Sequence, residues 1–136
     1  MSDESDARAD GDLWESVEHL QDWLARTQPE RPAQETLLLR MLKLSEEVGE
    51  VAEAVIGATG QNPRKGVSHT WDDVRSELCD VIITAAVALR TLTPEAREVF
   101  TTHLTHVTTR TRQGHEDPRT QPSPTPQPKP RSPQAP

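Results

Sequence analysis

Five carboxylates stand in two short runs, Glu46-Glu47-x-x-Glu50 and, 26 residues further on, Glu77-x-x-Asp80. Acids three or four residues apart share one face of a helix, and carboxylate oxygens are the ligands that hard divalent cations take. The first run has a helical setting, because Leu37, Met41, Leu44, Val48, Val51 and Val55 recur at the spacings of a core-facing stripe. Glu46, Glu47, Glu50 and Glu53 fall on an arc roughly opposite that stripe. Like charges at those spacings repel, so bulk water or a cation has to offset them.

The second run lies in a segment that is apolar nearly all round, with Leu78, Val81, Ile82, Ile83, Val87 and Leu89 among its residues. Such a helix is expected to be buried, which would put Glu77 and Asp80 where water is scarce. Buried carboxylates need partners, and the nearest cations in sequence are Lys43 and Arg75. The residues therefore point to a Mg²⁺ or Mn²⁺ site formed by Glu47 and Glu50 on one helix and Glu77 and Asp80 on the next.

The two runs, in this order and on helices of this character, resemble the EExxE…ExxD signature of the MazG-like all-α nucleoside triphosphate pyrophosphohydrolases. Lys43-Leu44 before the acids and the apolar helix after Asp80 agree with it, and the resemblance covers about residues 37–92. It implies a helical dimer or tetramer that cleaves a (d)NTP to the monophosphate and pyrophosphate with Mg²⁺. It also implies Glu47, Glu50, Glu77 and Asp80 as metal ligands, with Glu46 assisting the metal site or orienting the attacking water. Many family members carry a Lys/Asn/Arg-rich segment after the ExxD helix. Here the comparable region reads Thr101-Thr102-His103, then Arg110 and Arg112, which leaves base and sugar open.

The elements that must position these acids can be read from punctuation and period. Asp12 caps a first helix, about 13–26, with Glu15 as capping-box partner and Leu13, Val17, Leu20 and Leu24 facing inward. Trp23 packs on the bundle or stacks on a base. Pro29 and Pro32 make the connection to a second helix, from about 33–35 to 58, which carries the acidic arc. Gly60, Asn62-Pro63 and Gly66 mark a loop over 59–70. Its Arg64 and Lys65, with Lys43, are the candidates for holding substrate phosphate, since a polyanion entering an acidic cleft needs cationic help beyond the metals.

Thr70 caps a third helix running to about Leu92, with Asp72 and Asp73 in its first turn. Asp73 either caps or supports the metal ligands. Cys79, the single cysteine, reads as a buried thiol. Thr93-Pro94 opens a fourth helix with a stripe of Val99, Phe100, Leu104 and Val107. His103 and His106 on it read as surface or interface residues, and the chain lacks the Glu-x-x-His step of carboxylate di-iron bundles.

Composition bounds the rest. The chain of 136 residues is 32% hydrophobic, and the deficit is concentrated at its ends. Residues 1–12 offer almost nothing to bury, and residues 113–136 hold eight of the twelve prolines, so both are expected to be disordered. Residues 13–112 are left for one all-α, four-helix-type bundle, MazG-like by the resemblance, and lean enough that a homodimer or homotetramer would complete it.

A net charge of −7 argues against general nucleic-acid binding. No run reaches the ~20 apolar residues of a membrane span, and the acidic start is unlike a signal peptide, so a cytoplasmic protein is expected. No Walker A or GxGxxG pattern is present. The competing reading is a non-catalytic helical protein with a degenerate site that binds metal or nucleotide, or one whose acidic bundle and proline-rich tail serve protein interaction.

Overall fold

A computed structural model of the chain describes residues 12–114. The expected disorder of residues 1–12 and 113–136 falls almost wholly outside this span. Four helices follow one another: α1 (Leu13–Thr27), α2 (Ala33–Thr59), α3 (Trp71–Leu92) and α4 (Ala96–Gln113), with no strand among the described residues. The architecture is all-α, as the periodic stripes require. Among the described residues, 12–100 belong to one compact unit and 101–114 to another.

Local chemistry sets the helix ends. Asp12 accepts a hydrogen bond from the Trp14 amide at 3.3 Å and pairs with Arg97, and the expected capping box with Glu15 does not form. Gly60, at φ 63°, ends α2 in the left-handed conformation that only glycine adopts without strain. Thr70 and Asp73 close a capping box at the start of α3. Asp73 Oδ2 accepts from the Thr70 amide at 2.8 Å, and the Thr70 hydroxyl accepts from the Asp73 amide at 3.2 Å. That hydrogen bonding from Thr70 holds the Asp73 carboxyl below its usual pKa, and assigns Asp73 to the cap. Thr93 accepts from the Glu95 amide, but α4 itself begins at Ala96, two residues later than the Thr93-Pro94 signal suggests.

Helices α2 and α3 form an antiparallel hairpin. Arg40 donates to Thr91 Oγ1 at 2.9 Å at one end, and the Ser68 amide donates to the Gly57 carbonyl at 3.0 Å at the other. The close approach at Gly57 needs glycine: a Cβ there would collide with the His69 ring and the Ser68 hydroxyl. Helix α1 lies against α3, tied by the Glu18–Arg90 ion pair at 2.9 Å. The pairing holds the Glu18 carboxyl below its usual pKa, chiefly through the Arg90 hydrogen bond.

The core is smaller than the sequence leads one to expect. Among the described residues the buried apolar side chains are Val17, Ala54, Val74, Val87, Ala88 and Ala96. Met41 and Val48, taken from sequence as core, are 42% and 53% exposed, whereas Glu47 is buried. The face of α2 that meets α3 is therefore rotated by about 60–80°, less than one residue's step of about 100°, from the centre of the apolar stripe. Helix α3 is likewise not enclosed. Leu78 and Ile82 are exposed, and so is Cys79, contrary to the expected buried thiol, because it projects away from both α1 and α2. His103 and His106 are exposed, as expected.

Candidate metal centre

The rotation of α2 turns its acids toward the hairpin partner. Glu47 sits on the inner arc with Leu44, Val51 and Ala54, and is 7% exposed. Glu77 and Asp80, one turn apart on α3, meet it there. Glu47, Glu77 and Asp80 can each present a carboxylate oxygen so that all three lie within 4.8 Å of one another. Their environments are graded: Glu47 is buried, Glu77 half-buried and Asp80 exposed. Asp80 thus departs from its expected dry setting, because α1 does not extend over this end of α3's acidic side.

Glu50 joins the group through its neighbours. Hydrogen bonding and charge from Glu47 push its carboxyl above the usual pKa, with partial burial and Glu77 adding to the effect. A raised carboxyl beside other carboxylates is the sign of negative charge concentrated faster than solvent can screen it. The cation within reach is Lys43, whose Nζ lies 3.0 Å from Glu47 Oε1 and 3.2 Å from Glu46 Oε2. These acids, Glu47 foremost, raise the Lys43 pKa and keep it charged.

The structure thus brings together Glu47, Glu50, Glu77, Asp80 and Lys43. Four carboxylates against one ammonium leave an excess of negative charge, and an all-oxygen donor set of this kind suits Mg²⁺ or Mn²⁺ better than a soft metal. Glu46 lies at the rim, its side chain 60% exposed and held by Lys43. Lys43, a phosphate-binding candidate from sequence, here pairs with two acids of its own helix. Arg64 and Lys65 are exposed in the 60–70 loop, and neither makes an ion pair with a described acid. That loop is shaped by Asn62, whose side chain accepts from the Arg64 amide at 3.1 Å.

Beside the acids lies a feature that sequence reasoning missed. A cavity of about 450 Å³ opens between α1, α2 and α3, walled by Leu20, Trp23, Leu24, Leu39, Ile83 and Val87. Its polar wall includes Lys43 and Thr84, one turn from Glu47 and Asp80 respectively, so the cavity and the carboxylates are neighbours. Arg40 also lines it, with burial drawing its guanidinium below the usual pKa and its Nε lacking an acceptor among the described residues. The signal was present in the sequence, since Arg40 falls on the same side of α2 as Glu47. Trp23, half-exposed, fronts this cavity and does not fill the core. Comparison with known proteins returns no matching family model, no matching curated protein and no matching solved structure.

Proposed function

We propose that the chain is a Mg²⁺-dependent nucleoside triphosphate pyrophosphohydrolase, resembling the MazG-like enzymes in its carboxylate signature. The observation that carries the reading is the convergence of Glu47, Glu77 and Asp80 from two helices, with Glu50 coupled to them. Glu47, Glu50, Glu77 and Asp80 would hold the metal. Bound Mg²⁺ supplies charge neutralisation at phosphate oxygens and acidifies water at neutral pH.

The remaining roles belong to the chain's own side chains. Glu46 stands at the exposed rim, where a carboxylate can take a proton from water entering from solvent. Lys43 orients Glu46 and Glu47 by bonding both. The neighbouring cavity has the volume and the flat aromatic wall that a nucleobase requires, and Arg40 and Thr84 offer it polar contacts. Arg64 and Lys65, free of ion pairs with described acids, are the phosphate-binding candidates from the adjacent loop.

Pyrophosphate release from a panel of ribo- and deoxyribonucleoside triphosphates, with Mg²⁺ and with chelator, tests the reading. Metal-dependent release of pyrophosphate and monophosphate is expected; absence of turnover across the panel would overturn it. One observation favours the second reading, a non-catalytic acidic helical protein: Lys43 already offsets part of the charge on Glu47 and Glu46. In that case no nucleotide of the panel should be cleaved, and a thermal melt unmoved by Mg²⁺ would further separate an interaction protein from a metal-binding one.

A further inference from the structure

The cavity between α1, α2 and α3 is charged against the trend of the chain. The net charge is −7, yet the cavity is lined by Arg31, Arg40 and Lys43 and by no acid. Two of these cations are already matched: Arg31 Nε stands 3.8 Å from Glu35, and Lys43 bonds Glu46 and Glu47. Arg40 pairs with no carboxylate among the described residues. Of its five N–H groups one, on Nη1, is matched there, by the Thr91 hydroxyl at 2.9 Å. That hydroxyl donates in turn to the Val87 carbonyl at 2.8 Å, so the guanidinium is held in place with donors to spare. A half-buried cation with unmatched donors calls for a ligand rich in acceptors.

The place of Arg40 along α2 decides which part of a nucleotide it would meet. Arg40, Lys43, Glu47 and Glu50 follow one another on one side of the helix. Arg40 precedes Glu47 by seven residues, about two turns and ~10 Å of helix axis. A phosphate held beside Glu47 therefore leaves Arg40 at the reach of the base, beyond the sugar. The cavity that Arg40 lines is walled by Trp23, Leu39, Ile83 and Val87, surfaces that suit a flat heterocycle and not a phosphate.

Resting on the nucleotide reading of the neighbouring acids, we infer that the cavity selects bases with two adjacent acceptors on one edge, and that Arg40 reads them. Guanine offers such a pair in O6 and N7, and cytosine in O2 and N3. Adenine sets its amino donor beside N1 and N7, and uracil and thymine place an N–H donor between their two carbonyls. A guanidinium has donors only, so it meets guanine or cytosine with two parallel hydrogen bonds and the other bases with one acceptor at a time. The fork matters as much as the charge, since an ammonium in its place is a point charge without that geometry.

The test uses the full chain and nucleosides, which carry no phosphate and need no metal. In calorimetric titrations with chelator present, inosine (with the O6 and N7 of guanine) and cytidine should bind on the order of tenfold more tightly than adenosine and uridine. Arg40→Met should erase that preference, and Arg40→Lys, which keeps the charge and loses the fork, should not restore it. The preference is read first in wild type, so it can fail without either variant. Equal binding of the four nucleosides, binding of none, or a preference that survives in either variant would each overturn the inference. Turnover separates this outcome from failure of the metal-site reading. The expected preference without pyrophosphate release from any triphosphate would remove the pyrophosphohydrolase and leave base selection standing. Equal kcat/KM for GTP, CTP, ATP and UTP would keep the hydrolase and overturn base selection.

Discussion

Glu47 is surrounded by groups that make opposite demands on it. Lys43 stabilises its charge at 3.0 Å, while Glu50, Glu77 and Asp80 oppose it. A dication would relieve the three acids together, whereas the single ammonium reaches only one of them and Glu46. Asp80→Asn and Glu77→Gln keep shape but remove charge that would hold the metal. Turnover at saturating Mg²⁺ is expected to fall by roughly a hundredfold or more, the several kcal/mol that metal catalysis supplies. The metal-free melt of each variant should be unchanged or slightly raised, since like-charge repulsion is relieved. Lower metal-free stability with intact turnover would place these acids in a structural role.

The same crowding sets a pH dependence. Glu50 has a raised pKa in the fold, so its contribution to stability is present at low pH and is lost as pH rises through that value. Asp12, Glu18 and Asp73 are lowered, and their contributions run the other way, being lost as pH falls. Metal-free melts of wild type and Glu50→Gln should therefore diverge with the variant ahead at neutral pH, and the variant should lose that lead as pH falls and Glu50 takes up its proton. A constant offset across the range would show that Glu50 does not feel Glu47. The acids could be named from sequence because type and spacing are local facts. Their unequal exposure could not, because it depends on where α1 stops covering α3, and no residue near Asp80 encodes that.

At the scale of the element, the signals that held were those made by immediate neighbours. Thr70 and Asp73 cap α3 in the arrangement their spacing specifies, and Gly60 ends α2. Thr70→Ala removes the hydroxyl acceptor and should cost about 1 kcal/mol, a melt lowered by roughly 5 °C. Gly57→Ala is predicted to be the more damaging change, by about 1–3 kcal/mol, although alanine favours helix. The added methyl collides with His69 and Ser68, which return along α2 through the Ser68–Gly57 hydrogen bond. A denaturant melt in which Gly57→Ala equals or exceeds wild type would refute that packing. What failed at this scale was the phase of α2. An apolar arc wider than one neighbour can cover has no single centre, so the stripe through Met41 and Val48 could be recognised as helical without revealing which part of it meets α3.

For the whole molecule, a metal held between α2 and α3 would link ion binding to the stability of the hairpin. If Glu47, Glu77 and Asp80 hold Mg²⁺, the melt should rise with Mg²⁺ concentration relative to its Kd. Asp80→Asn should abolish that shift, whereas Thr70→Ala at the α3 cap should lower the melt and keep the shift. Thermal scans of wild type and both variants, with Mg²⁺ and with chelator, read the two effects separately. A Mg²⁺ shift that survives Asp80→Asn would show that the acids facing each other across the hairpin do not hold the ion.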